Sequence, residues 1–165
     1  MILLRKAKEQ DMEVISDLAE RIWPHAYSAY LSNEQLRYML DLMYNKGELL
    51  SQLQQGYNFI IAEDEKNDVG FACSSLTDPE TQTYKLHKLY VLPEMHGKGV
   101  GKILINEIRN VAVRNGGKFL QLNVNRNNKA KDFYEKIGFY IKETVDVNIG
   151  NGFFMNDYVM ELPLS

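Results

Sequence analysis

Gly97, Gly99 and Gly101, interleaved with Lys98, Val100 and Lys102, stand directly after the strand-like run Tyr84 to Leu92 and directly before an amphipathic stretch. That placement suits an anion. Apolar Val100, Leu104, Ile108 and Val111 recur at helical spacing, so a helix has to begin inside the glycines. Its first amides lack acceptors within the helix and point at whatever occupies the turn. The missing side chains let a phosphate approach those amides.

Spacing excludes two common phosphate loops. A nucleoside-triphosphate loop needs Gly, four residues, then Gly-Lys-Ser/Thr, but Gly101-Lys102 is followed by Ile103, and position 96 is His96. A dinucleotide loop of the form Gly-x-Gly-x-x-Gly fails as well, because Lys102 stands three residues after Gly99 and Leu104 three after Gly101.

A second patterned segment runs from Asn127 to Phe139. Ala130, Phe133, Tyr134 and Ile137 share one helix face, Gly138 suits the helix end, and Asn127 reads as its N-cap. Core packing accounts for Phe133 and Ile137.

The run His96-Gly97-Lys98-Gly99-Val100-Gly101 resembles the Gln/Arg-x-x-Gly-x-Gly/Ala pyrophosphate motif of the GNAT acyl-CoA N-acyltransferase superfamily, with His96 in the place of Gln or Arg. The later segment is similar to that family's Asn-x-x-Ala-x-x-Phe/Tyr-Tyr-x-x-x-Gly-Phe motif. Both stand in the family's order and separation, with the strand-like Lys118 to Val124 between them. The resemblance implies an N-acetyltransferase with acetyl-CoA as cosubstrate and no metal. By the same resemblance His96, Gly97, Lys98, Gly99, Val100, Gly101 and Lys102 cradle the pyrophosphate. The backbone of Leu89, Tyr90 and Val91 would hold the pantetheine arm and polarise the thioester carbonyl, and Asn127 would also contact the pantetheine. Tyr134 would stand near the sulfur as general acid, although a core tyrosine on a helix face explains it too.

Acyl transfer to an amine needs a neutral nucleophile, a donor to the carbonyl oxygen and a donor to the departing thiolate. Some relatives place a glutamate base on the strand before the glycine turn. Here Lys85, His87 and Lys88 stand there. His87 has a suitable intrinsic pKa and is the candidate base, with a structural histidine and a water chain as open alternatives.

The remaining chain supplies the frame. Ile2 to Ala7 reads as a strand. Asp11 opens a helix with Ile15, Leu18, Ala19 and Ile22 inward, which Trp23-Pro24 ends. Ser32 and Gln35 form a capping box before Leu36, Met39, Leu40 and Met43, and a short helix covers Glu48 to Gln54. Tyr57 to Glu63 and Val69 to Leu76 read as a hairpin around Asp64 to Asp68, and Phe139 to Val147 and Phe153 to Leu162 as two final strands. This order predicts one domain over residues 1–165 of GNAT-like α/β (α+β) class. Its sheet of about seven strands is mixed, mostly antiparallel and twisted, with helices on both faces. The sheet splays between the fourth and fifth strands.

Composition agrees with an enzyme of small molecules. The apolar fraction of 45% suffices for a core, and the net charge of −3 with pI near 5.6 gives no basic surface for nucleic acid. A single cysteine, Cys73, forms no internal disulfide and reads as a small buried residue, which fits a cytoplasmic protein. No signal peptide or membrane span is visible, and a homodimer is allowed. The acceptor site is expected where Trp23, Tyr27 and Tyr30 meet Phe153, since aromatic faces hold ammonium groups. The layout loosely resembles bacterial polyamine acetyltransferases and points to a small cationic amine. A peptide or protein amine, an aminoglycoside, an amino acid, and a non-catalytic acyl-CoA sensor are the alternatives.

Overall fold

The computed structural model describes residues 1–164. The chain runs β1 (Ile2–Lys6), α1 (Met12–Tyr27), α2 (Asn33–Met43), α3 (Lys46–Gln54), β2 (Asn58–Asp64), β3 (Asn67–Asp78), β4 (Thr83–Val91), α4 (Val100–Arg114), β5 (Phe119–Asn125), α5 (Ala130–Ile137), β6 (Tyr140–Gly150) and β7 (Phe153–Pro163). The seven strands are ordered β1-β2-β3-β4-β5-β7-β6. The pairs β1–β2, β2–β3, β5–β7 and β6–β7 are antiparallel, and β4–β5 is parallel. Element order and sheet type match the expectation. The residues cluster in two compact units, Met1–Ser75 with Lys88–Ile108, and Leu76–His87 with the chain from Arg109 onward.

In the first unit, α1 buries Met12, Ile15, Leu18, Ala19, Ile22 and Trp23. The expected stop at Trp23-Pro24 is corrected: α1 continues to Tyr27, and Ser28 N donates to Pro24 O at 3.1 Å. Proline costs one helical hydrogen bond and crowds one carbonyl. Burial of Trp23 on one side of it and partial burial of Tyr27 on the other hold the last turn in place. Ser32 caps α2 as expected, accepting from Gln35 N at 3.1 Å. α3 starts earlier than the Glu48 expected, because Asn45 Oδ1 accepts from Glu48 N at 2.9 Å and caps it. β2 and β3 carry continuous buried runs, Phe59 to Ala62 and Val69 to Ser74, as strands covered on both faces do. The α4 stripe is Val100, Leu104, Ile105 and Ile108, followed by Ala112; Val111 is only half-buried, a correction to the expected stripe.

In the second unit, β5 alternates, with Leu120, Leu122 and Val124 buried. β6 is an exposed edge. β4 pairs with β5 only from Thr83↔Phe119 to Leu86↔Leu122, although β4 runs on to Val91 and β5 to Asn125. The ladder thus ends where the sequence places the opening of the sheet. α5 ends at Gly138, with φ of 120°.

The β2–β3 hairpin is tighter than the expected turn over Asp64 to Asp68. Asp64 pairs with Asn67, leaving Glu65 and Lys66 as a two-residue turn at φ of 50° and 71°. Left-handed backbone costs a non-glycine residue about 1–2 kcal/mol, and glycine returns about 0.4–1 kcal/mol of that as unfolded-state entropy. Lys66→Gly should therefore stabilise the protein by about 0.5–1 kcal/mol, read as a higher urea midpoint with an unchanged m-value.

Candidate active site

The glycine turn is assembled from the end of β4. Leu92 N donates to Val69 O at 2.9 Å, and Pro93–Met95 make one 3-10 turn. His96 closes that turn through its amide, which donates to Pro93 O at 3.1 Å, while its Nε2 lies 3.1 Å from Val91 O. The residue in the Gln/Arg position of the motif thus braces the loop onto the strand end. Gly97 and Gly99 have φ of 82° and 80°, and a Cβ at either would meet nothing within 4 Å. Their glycines answer to backbone conformation and to the space above the turn, not to any packed neighbour. Ile103 N donates to Gly99 O at 3.1 Å, so the amides of Val100, Gly101 and Lys102 precede the helical ladder. The first turn of α4 has no acidic residue to neutralise the positive helix end, and Lys98 and Lys102 are exposed beside it. Val100, 1% exposed, anchors the turn to the core.

Upstream, Leu89, Tyr90 and Val91 are half-buried at the end of β4, beyond the last residue that pairs with β5. His87 is half-buried on the same strand.

The second motif lies in the other unit. Asn127 does not cap α5, a correction: it is exposed, and its amide donates to Asn125 Oδ1 at 2.9 Å. The N-cap position is Lys129, which makes no side-chain cap, and Asn128 Oδ1 accepts from Ala130 N at 2.9 Å in a turn that leads into the helix. Asparagines at 125, 127 and 128 compete for the same amides, and spacing alone does not rank them. Tyr134 is buried against Phe133 and Phe139, with ring centroids at 5.3 and 5.6 Å. Burial pushes its phenol well above the usual tyrosine range, so it stays protonated at neutral pH.

The aromatic residues near the end of α1 serve the core more than expected. Trp23 is 2% exposed, so its assignment to the acceptor site is corrected. Its ring packs on Tyr27, Tyr44 and Tyr90 at 4.6, 5.4 and 5.6 Å, and the Tyr27 and Tyr90 hydroxyls share a hydrogen bond of 2.7 Å. Tyr27 and Tyr30 are half-buried. A cation already uses the neighbouring ring faces: buried Lys88 places Nζ 5.3 Å from the Tyr44 ring and 5.9 Å from that of Phe59, and donates to Gln52 Oε1 at 3.0 Å. Burial lowers its pKa, opposed by Cys73 and Glu48. Cys73 is buried and its thiol is pushed up to about 12, which suits packing. On the final hairpin Phe153 is half-buried, and Phe154 is 48% exposed.

Sequence reasoning missed two carboxylates of the second unit, Asp157 and Glu161, 1% and 4% exposed on β7. The signal was present, because both interrupt an apolar strand four residues apart and therefore on one face.

A strand, a glycine turn opening a helix, and a tyrosine-bearing second helix now stand in the order of one family. The acetyltransferase (GNAT) domain family matches residues 55–141, more than half of the chain. This chain belongs to that family. It is a GNAT N-acetyltransferase. It is 26% identical over 149 residues to a spermidine N(1)-acetyltransferase of Thermoplasma acidophilum, covering 87% of this chain and 91% of that one. The solved PaiA N-acetyltransferase of Thermoplasma acidophilum, in complex with coenzyme A, superposes with a TM-score of 0.83 at 25% identity, covering 99% of each chain. A [ribosomal protein bS18]-alanine N-acetyltransferase of Haemophilus influenzae is 36% identical over 72 residues, 43% of this chain and 47% of that protein. Among the described residues of this acetyltransferase, no helix is long and apolar enough to cross a membrane, and no group of three or more His, Cys, Asp or Glu is placed to hold a metal.

Gly99→Val tests the anion cradle. A branched side chain at φ of 80° strains the turn and fills the space above the amides. It should weaken CoA binding by roughly tenfold or more, with about 1–2 kcal/mol of lost stability; calorimetric titration and a thermal melt read the two separately. Unchanged CoA affinity in the folded variant would remove the cradle from cofactor binding.

Proposed function

We propose that this acetyltransferase moves the acetyl group of acetyl-CoA directly to the primary amine of a small cationic acceptor such as a polyamine. The observation that carries the acceptor class is the extent of similarity. Likeness to the spermidine enzyme spans 87% of the chain, whereas likeness to the ribosomal-protein enzyme spans 43%. The amides from Gly97 to Lys102 take the pyrophosphate, as helix N-termini do. The backbone of Leu89 to Val91, which β5 does not pair, takes the pantetheine amides and the thioester carbonyl. Asn127, exposed and relieved of capping, supplies a further contact to the pantetheine.

The amine approaches as an ammonium and must lose a proton before its lone pair attacks the thioester carbon. No carboxylate occupies β4 for that task, so His87 or an ordered water accepts the proton. The C–N bond forms, the C–S bond breaks, and the departing thiolate takes a hydrogen bond and then a proton from the Tyr134 phenol. Burial keeps that phenol protonated but makes it a weaker acid, so its hydrogen bond to the sulfur forms first and the proton follows as charge builds there.

Tyr134→Phe keeps the ring contacts with Phe133 and Phe139 and removes the donor. Turnover should fall by roughly 10²- to 10⁴-fold, with CoA affinity unchanged by calorimetry; a loss within about twofold returns Tyr134 to a packing role.

Thiol release from acetyl-CoA, measured against spermidine, alkyl diamines, amino acids, an aminoglycoside and an alanine-starting peptide, should favour the polyamine, with a rate rising from neutral toward alkaline pH as the amine deprotonates. Strong activity on the peptide and none on any polyamine would transfer the reading to a protein amine. CoA binding without transfer to any acceptor would indicate a sensor.

A further inference from the structure

The second unit contains two buried carboxylates on one face of β7, and they are treated in opposite ways. Glu161 receives Gln121 Nε2 at 2.8 Å, Lys142 Nζ at 3.1 Å and the Tyr140 hydroxyl. Burial works against its charge, yet these three donors outweigh it and hold the carboxyl below its usual range. Asp157, four residues earlier, has one long hydrogen bond, from Asn123 Nδ2 to Oδ2 at 3.4 Å. Its Oδ1 is buried with no hydrogen-bond partner in the protein. A buried carboxylate oxygen left unsatisfied is costly, and native structures keep few of them. Packing alone does not call for an aspartate here, because an apolar residue of similar size would remove the unmet oxygen.

We infer that Asp157 receives the protonated primary amine of the acceptor, its unpartnered oxygen accepting a charge-assisted hydrogen bond from the ammonium. This rests on the small-amine reading given above. Three observations support it. The register sets Asp157 opposite Asn125 on β5 and Val145 on β6, and both are half-buried. Asn123 and Lys85, which interact with the carboxylate, are half-buried as well, so the residues around it themselves reach solvent. Second, Phe153 and Met155 lie on the same face of β7, toward the hairpin turn, and both are half-buried, giving apolar surface for the methylenes of an alkyl amine. Third, the positive charges nearby do not satisfy Asp157 as donors. Lys85 and Arg126 favour its ionised form at a distance, but Arg126 is paired with Asp146, and burial still pushes the Asp157 carboxyl up while it pushes the Lys85 ammonium down. An incoming ammonium supplies the charge and the donor that the site lacks, which is how a buried carboxylate becomes selective for an amine over its neutral analogues.

The test is calorimetric titration of spermidine into the CoA-bound protein between pH 5 and 9, for the native chain and for Asp157→Asn, with CoA affinity as the folding control. Native affinity should fall on acidification as Asp157 takes a proton, from a pH above the usual aspartate range because its pKa is raised. Asp157→Asn should bind spermidine at least about tenfold more weakly at pH 8 and lose the acid limb, while its CoA affinity and melting temperature stay at or above the native values. A tighter-than-Asn response of Asp157→Glu would agree with a charge requirement. Equal spermidine affinity and an equal pH profile in the native and Asn proteins would overturn the assignment to Asp157 while leaving the polyamine reading intact. A native protein that binds no spermidine would overturn both, and the two failures are distinguished by the native titration alone.

Discussion

The parallel pairing of β4 with β5 fixes the rest. Antiparallel neighbours can be joined by two residues, as β2 and β3 are here, but parallel neighbours need a crossover that returns to the starting end of the sheet. In this chain the crossover is α4, so a helix N-terminus has to stand just past the C-terminal end of β4. The connection is short enough that the turn itself must reverse direction, and Gly97 and Gly99 supply the left-handed φ values for it. A helix N-terminus opened by glycines therefore arises from sheet topology, before any side chain is chosen.

Among the described residues, buried charged groups separate into those that are satisfied and Asp157; Trp23 Nε1 and Asn58 Nδ2 are also buried without a partner but carry no charge. Lys88 sits among rings, yet its ammonium has Gln52 and two aromatic faces. Glu161 has three donors. Each resembles a closed structural network, in which removing one member would strand another. Asp157 is open by comparison, with a long bond on one oxygen and none in the protein on the other. Marginal stability leaves little room for an idle cost of this kind, and the asymmetry between two carboxylates on one strand is what singles it out.

Much of the frame was legible in sequence because local chemistry and tertiary structure agree there. Ser32 before Gln35, Gly138 after Ile137 and the apolar spacing from Val100 to Ile108 all describe the elements that form. Misreadings fall where a local signal is overruled. Pro24 announces a helix end, but Trp23 and Tyr27 keep the last turn folded. Glu65-Lys66 adopts a turn that Asn-Gly would have announced. Among Asn125, Asn127 and Asn128 every residue can cap, and the path of the backbone puts Lys129 at the N-cap, with Asn125 and Asn128 bonding amides of the turn before it. The aromatic residues near the end of α1 look like a cation site by composition, whereas Trp23 is consumed by the core and an internal lysine stands over the neighbouring rings.

The two sides of an acetyl transfer leave unequal marks on a sequence. Recognition of a pyrophosphate by main-chain amides demands glycine at positions of positive φ and an apolar anchor such as Val100 directly behind them, so it writes a motif that can be read without a structure. It also tolerates change at the flanks. His96 stands where the motif has Gln or Arg, and its ring and amide brace the loop. Recognition of an amine needs only a carboxylate or a ring face in the right place, and an aspartate within an apolar strand satisfies that from any position the register brings inward. Its mark is a single residue whose meaning appears once pairing is known. The register Asn125↔Asp157 and Val145↔Asp157 converts an ordinary aspartate into a buried one, and burial is what turns its missing donor into a requirement for a ligand.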